Sequence, residues 1–305
     1  MADGMQTARE MPHTDMKTPV TAPHRRASYW GEVWRKLRRH PGFLLGAALL
    51  LAILIGAIFA PWLTPFDPDK GSIIARLKPF GFRGHVLGTD ELGRDMLTRL
   101  IWGARVSLAM GVVPVVIATI LGGALGLAAG FGGRVVNGAI MRVMDVFYAF
   151  PSVLMAVAIA GAMGGGLVDG MIALTLVFIP PMCRVAESAT AQVRNLDFIE
   201  AARATGAKAV TIVRYHVIGN VLGPVLVYAS SLISVSILLS AGLSFLGLSV
   251  QPPTADWGLM LSSLVPSIYV VPWVCALPGA AIFLTSIAFG LLSGGLRAAM
   301  DIRGE

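Results

Sequence analysis

The residues whose types and spacing could do chemistry in this 305-residue chain are few, and most lie between long apolar runs. Asp197 followed by Glu200 reads as a helix N-cap with a capping-box acid three residues on, and Gly206 fits the left-handed residue that closes a helix. A second helix is then predicted from Lys208 to about Ile218, with Val210, Val213 and Val217 on one face. Between the caps, Ala201, Ala202 and Ala204 carry side chains small enough for the short helix to seat closely in a groove on another protein. Local physics leaves two readings open: a docking element, or a plain connection in which Glu200 only caps its helix.

A second polar cluster begins at Thr89, which is expected to cap an amphipathic helix presenting Leu92, Met96, Leu97, Leu100 and Ile101. Asp90 with Arg94, and Asp95 with Arg99, stand at pairing distance on such a helix, which favours a structural role over contact with a solute. Arg142 and Asp145, three apart at the end of an apolar run, are expected to pair likewise, whereas Glu187 and Asp169 flank apolar runs. Cys183 and Cys275 have no C-x-x-C spacing and read as packing residues. The five histidines, His13, His24, His40, His85 and His216, all fall outside the apolar runs, and no His-Glu-x-x-His is present. A phosphate-binding Walker A loop needs glycines and a Lys followed by Ser or Thr, yet only Lys17-Thr18 has that dipeptide and it lacks the glycines. No catalytic residue, cofactor site or metal site is therefore expected in the chain.

The elements that must position these residues are membrane helices. The sequence is 55% hydrophobic and 13% charged, against roughly 25% charged in soluble domains. Its 35 glycines suit helices that pack backbone to backbone in lipid. The net charge of +7 is spread between apolar runs rather than gathered in a nucleic-acid patch. Six spans are predicted: 43–60, 106–131, 146–163, 171–185, 225–250 and 271–292, the fourth short and carrying Pro180 and Pro181. Before them, residues 1–28 read as a flexible cytoplasmic tail without the apolar core of a signal peptide. Trp30, Val33, Trp34 and Leu37 then follow helical spacing, with Arg35, Lys36, Arg38 and Arg39 around them, as in a helix lying on the cytoplasmic leaflet.

Lys and Arg number eight before Phe43, two in 132–145, five in 184–224 and two at the C-terminus. Residues 61–105 hold seven, against the positive-inside rule, but the dense basic flank of the first span dominates such counts, so both termini are expected in the cytoplasm.

The run Glu200-Ala201-Ala202, then Gly206, Val217-Ile218-Gly219-Asn220 and Pro224, resembles the cytoplasmic EAA loop of binding-protein-dependent ABC importer permeases. In that family the loop inserts into the ATPase subunit, so the resemblance implies that Glu200, Ala201, Ala202, Gly206 and Asn220 couple this chain to ATP hydrolysis elsewhere. The segment His85-Val86-Leu87-Gly88-Thr89-Asp90-Glu91-Leu92-Gly93-Arg94-Asp95, with Arg99 and Gly103-Ala104-Arg105-Val106-Ser107-Leu108, resembles the region ahead of the second span in the C-type permease of dipeptide, oligopeptide and nickel importers. Pro65-Phe66-Asp67-Pro68, Leu243-Ser244-Phe245-Leu246-Gly247-Leu248, Gln251-Pro252-Pro253, Trp257-Gly258, Leu296-Arg297, Asp301 and Arg303 extend the likeness over most of the chain. Gly219 stands where the family commonly has proline, Ser240 where an acid is frequent, and Ser293 to Gly295 in place of Gly-Asp-Gly, departures that bear on cargo.

The resemblance implies an all-α membrane protein with the type I ABC importer permease fold: six transmembrane helices, an N-terminal interfacial helix and a coupling helix between the fourth and fifth spans. It divides the chain into 1–28 (tail), 29–102 (interfacial helix, first span and external loop), 103–297 (transporter domain, coupling loop about 186–224) and 298–305 (cytoplasmic tail). The implied partners are a second homologous permease, two ATPase subunits or domains that bind ATP and Mg, a periplasmic or extracellular substrate-binding protein, and membrane lipid, with no nucleic acid. The implied role is peptide import at the bacterial inner membrane; an ion-coupled secondary transporter is the alternative, which the lack of a midplane carboxylate disfavours.

Overall fold

Helix formation here follows apolar length, and the bends follow proline. The computed structural model describes residues 29–300; the expected tail at 1–28 and the matching residues Asp301 and Arg303 lie outside the described residues. Tyr29–Leu37 forms α1, whose Val33 and Leu37 are buried with Ala299 near the end of the chain, while the Arg38 guanidinium lies 4.8 Å over the Trp34 ring. The amphipathic helix thus docks on the last span as well as facing outward. His40 caps α2 (Pro41–Ile58), its Nδ1 accepting from the Phe43 amide at 3.2 Å, with Pro41 at the first helical position where no N–H is needed. A single turn, α3 (Ala60–Leu63), leads into a connection that ends at α4 (Met96–Phe131).

The connection is not an extension of α4. The helix predicted from Thr89 is absent: Asp95 is the N-cap of α4, accepting from the Thr98 amide and hydroxyl at 2.7 Å each, and its other oxygen lies 2.9 Å from His85 Nδ1. Occupied in this way, Asp95 forms no pair with Arg99. Thr89 instead accepts from the Lys78 amide at 2.9 Å and donates to the Ala75 carbonyl, fastening two arms of the connection. The Asp90 to Arg94 pair does form, at 2.6 Å, but inside a tight turn, where Asp90 also accepts from the amides of Leu92 and Arg94. Arg99 donates to the carbonyls of Pro68 at 2.8 Å and Pro253 at 3.3 Å and lies 3.5 Å from Asp90, so one buried cation ties three segments together.

Beyond α4, the expected loop at 132–145 is helical. Gly133–Tyr148 forms α5, and after a break at Ala149–Pro151 comes α6 (Ser152–Met163), bent from α5 by 86°. Pro151 has no amide to continue α5 and disfavours helical geometry at the residue before it, so the third apolar stretch is a broken span. The fourth, the shortest by sequence, is the long α7 (Leu167–Arg194), which carries Pro180 and Pro181 within it. After the short helices α8 (Asp197–Ala204) and α9 (Ala209–Ile212), a π-helical segment at Val213–Val217 leads directly into α10 (Ile218–Phe245). The described residues end with α11 (Trp257–Leu264) and α12 (Pro272–Met300), whose last turn includes 298–300. Among the described residues five helices are long and apolar enough to cross a membrane, and the bent pair, taken as one span, makes six.

α4 and α7 form the most extensive pair, and three glycines explain their approach. A Cβ at Gly122 would stand 2.7 Å from the Ile179 carbonyl oxygen, at Gly126 2.4 Å from that of Cys183, and at Gly130 2.6 Å from Thr190 Cβ. Four residues apart, they lie on one face of α4, the small-xxx-small spacing that lets helix backbones touch in lipid. Around this pair α6 and α10 close a core of Met110, Leu174, Phe178 and Met182. At the opposite flank α2, α11 and α12 enclose Trp257, Met260 and Phe289, with Ser107 Oγ donating to Asp256 Oδ1 at 2.6 Å across the join. Cys183 and Cys275 are both buried and free. Asp145 pairs with Arg184 of α7 rather than with Arg142, and Arg184 also lies 4.6 Å over the Tyr148 ring.

Candidate coupling site

The connection from α7 to α10 is shorter than its sequence suggests, because both long helices continue into it and only 195–208 remain to turn the chain. α8 occupies this turn. Its N-cap is Leu196, not Asp197; Asp197 lies in the first helical turn with Glu200, and no side chain caps the helix. Both carboxylates still lie by the positive end of the helix dipole, which favours them without a capping box.

The other end is closed as the sequence indicates. Gly206 has φ +80°, the Ala207 amide donates to the Ala202 carbonyl at 3.3 Å, and the Gly206 amide to Arg203 at 2.9 Å. These are the paired bonds of a Schellman motif, and Ala202 and Ala207 supply its apolar contact, both packed against the main core. A Cβ at Gly206 would meet nothing within 4 Å, so what constrains this position is backbone conformation.

α8 is anchored by one side and free on the other. Ile199 is fully buried, and Ile212 and Val217 of the following segment are buried beside it in the same core. Val210, expected on one face with Val213 and Val217, is 78% exposed while Val217 is buried, because the π-helical segment between them shifts the helical phase. Glu200, Ala201 and Gly206 are exposed, Ala202 half-buried. Glu200 makes no ion pair among the described residues. Arg203 lies 5.5 Å over the Phe131 ring at the end of α4, and the rings of Phe198 and His216 approach to 6.2 Å. Asn220 is set apart from Glu200 on α10; its Nδ2 donates to the His216 carbonyl at 2.7 Å, bracing the exit from the π-helical segment. The sequence reading missed the exposed apolar residues around α8, namely Leu196, Phe198, Val210 and Tyr215. Aromatic and branched residues inside a polar connection are the sequence signal for them.

Two family models match, one at each end of the chain, with residues 80–121 between them. Residues 122–303 match the binding-protein-dependent transport system inner membrane component, and 28–79 match the N-terminal TM domain of oligopeptide transport permease C. The chain belongs to the binding-protein-dependent transport permeases. Among relatives of this permease, the Di/tripeptide transport system permease protein DppC of Pseudomonas aeruginosa is 42% identical over 88% of this chain and 91% of its own length. The Glutathione transport system permease protein GsiD of Pectobacterium atrosepticum is 39% identical over 89% of this chain and 90% of its own. The same protein of Salmonella typhimurium is 39% identical over 93% of each. The fold is that of the permease in the inward-facing MetNI methionine ABC transporter, with a TM-score of 0.53 and 20% identity, covering 67% of this chain and 97% of that one. The permease is thus an inner-membrane component of a transport system with the type I fold, and its relatives are permease subunits rather than enzymes.

Proposed function

We propose that this permease forms half of the translocation path of an ATP-driven importer for peptides or glutathione-like solutes, and that α8 seats in a groove of a cytoplasmic ATPase subunit. The observation that carries the coupling role is the two-sided character of α8: Ile199 fixes it to the bundle while Glu200, Ala201 and Ala204 face outward between two spans. A push on α8 reaches α7 through the two intervening residues, Asn195 and Leu196, and α10 through the helical turns at Ala209–Val217. Closing of the ATPases on ATP would then tilt these spans between inward- and outward-open arrangements, a two-state change that works only if cargo binds the states with different affinity. The cargo class is supported by the relatives named for di/tripeptides and glutathione. ATP and Mg are held by the ATPase partners, a second permease completes the path, and a binding protein delivers cargo to the side where α3 and α11 lie.

The test is affinity purification of the tagged chain from membranes with identification of the copurifying proteins. A second permease and ATPase subunits are expected, the ATPases being lost from Gly206→Val. A stable homomer free of ATPase would overturn the coupling role and favour an ion-coupled carrier.

A further inference from the structure

Where α4 turns into α5, a cleft of about 340 Å³ opens beside the last turn of α7. Its polar lining is Arg134, Asn137, Glu187, Arg194 and Asn195. Glu187 is engaged by Asn137, whose Nδ2 donates to its Oε1 at 2.7 Å, and it forms no ion pair with either arginine. Among the described residues Arg134 makes no ion pair or side-chain hydrogen bond, and Arg194 makes one, a 3.3 Å bond to the Gly130 carbonyl. Two guanidiniums and one carboxylate thus line the cleft, and because Glu187 is turned to Asn137 and paired with neither arginine, the cleft keeps one positive charge in excess.

The depth of the cleft and its apolar border identify a ligand. It lies where the apolar run of α4 ends at Phe131, which is the level of headgroups for a helix of this composition. Next to Arg134 on α5, Val135 is 85% exposed and Val136 40% exposed. A free phosphate would use the arginines and leave these valines in water; a phospholipid would use both, with its phosphate in the cleft and an acyl chain along the valines. We infer that this cleft binds the phosphate group of an anionic phospholipid from the leaflet at the coupling-helix end of the bundle. Because Arg194 is the last residue of α7 before the α8 turn, a bound headgroup stiffens the joint through which α8 is attached. The inference does not depend on which ATPase or cargo the permease serves.

The experiment uses the full-length chain, purified with its copurifying partners in detergent and titrated with dioleoylphosphatidylglycerol or dioleoylphosphatidylcholine under native mass spectrometry. Retention of phosphatidylglycerol over phosphatidylcholine is expected, weakened roughly 5-fold by Arg134→Gln and roughly 25-fold by Arg134→Gln with Arg194→Gln. Arg134→Gln alone keeps the test sound if the double variant misfolds, since Arg134 is exposed and makes no ion pair or side-chain hydrogen bond among the described residues. Equal retention by wild type and Arg134→Gln overturns the site. Displacement of phosphatidylglycerol by millimolar inorganic phosphate, with Val135→Ser having no effect on retention, overturns the lipid assignment in favour of a free anion.

Discussion

At the scale of single residues, Gly206 carries the sharpest consequence. Its φ of +80° costs an L-residue about 1–2 kcal/mol, and a β-branched one more, although there is space for a side chain. Gly206→Val is therefore expected to reopen the end of α8 without disturbing the buried core, leaving a chain that reaches the membrane but gives no ATP-dependent uptake. Gly206→Asn, which tolerates the left-handed region, should retain most of it. Uptake by the valine variant equal to wild type would sink the role given to the turn. Asp90 makes the opposite case. It is 2% exposed and answers Arg94 at 2.6 Å and Arg99 at 3.5 Å, so Asp90→Ala removes the carboxylate that two buried guanidiniums share and leaves Arg94 only Glu91 at 3.1 Å and Arg99 only Asp69 at 3.7 Å. Breaking a buried pair in this way costs about 3–5 kcal/mol. The thermal midpoint of the purified complex should fall, whereas Lys70→Ala, which removes a 3.1 Å pair to the exposed Asp67, should leave it in place.

At the scale of elements, the glycines of α4 make a prediction with an internal control. Gly126→Leu places a Cβ 2.4 Å from the Cys183 carbonyl oxygen, backbone that cannot move aside, so α4 and α7 must separate. Overpacking of this kind costs about 1–3 kcal/mol or more. Gly123, three positions earlier, whose Cβ would meet nothing within 4 Å, should accept leucine with no loss of folded protein by size-exclusion chromatography. Equal behaviour of the two variants would mean that the close approach is not what holds the pair.

This contrast also marks what a sequence of this kind discloses. Spans were legible because apolar length is a property of consecutive residues, and Gly206 because few residue types close a helix. The break at Ala149–Pro151 was not, since hydropathy integrates across a bend. Nor were the ends of α7 and α10, because a helix that leaves the membrane keeps its hydrogen bonds while its composition turns polar. The partner of Asp95 was hidden for another reason: Arg99 has the right spacing, but a helix N-cap and His85, ten positions earlier, take the carboxylate first. At the coupling site the motif residues were visible, whereas the anchor Ile199 looked like any apolar residue in a loop.

At the scale of the whole molecule, everything proposed for α8 requires that it face the cytoplasm. The α1 to α12 contact through Val33, Leu37 and Ala299 puts both described ends on one side of the bundle. The chain from α7 to α10 leaves and re-enters on that side, and the connection before α4 lies on the other. The seven cations of 61–105 oppose that orientation by count, but three of them are consumed internally: Arg94 on Asp90, Arg99 on the Pro68 and Pro253 carbonyls, and Arg105 on those of Ala57 and Ile58. Cations committed to buried partners fold with the external cap instead of remaining available to hold a loop inside. Cysteine accessibility decides the matter, because native Cys183 and Cys275 are 0% and 5% exposed and give little background. Ile73→Cys, at a residue 92% exposed, should react with a membrane-impermeant maleimide in intact spheroplasts. Lys208→Cys, exposed beside the α8 turn, should react only once the membrane is opened. The reverse pattern would put α8 on the side where no ATP is available, and the coupling reading would fail with the fold intact.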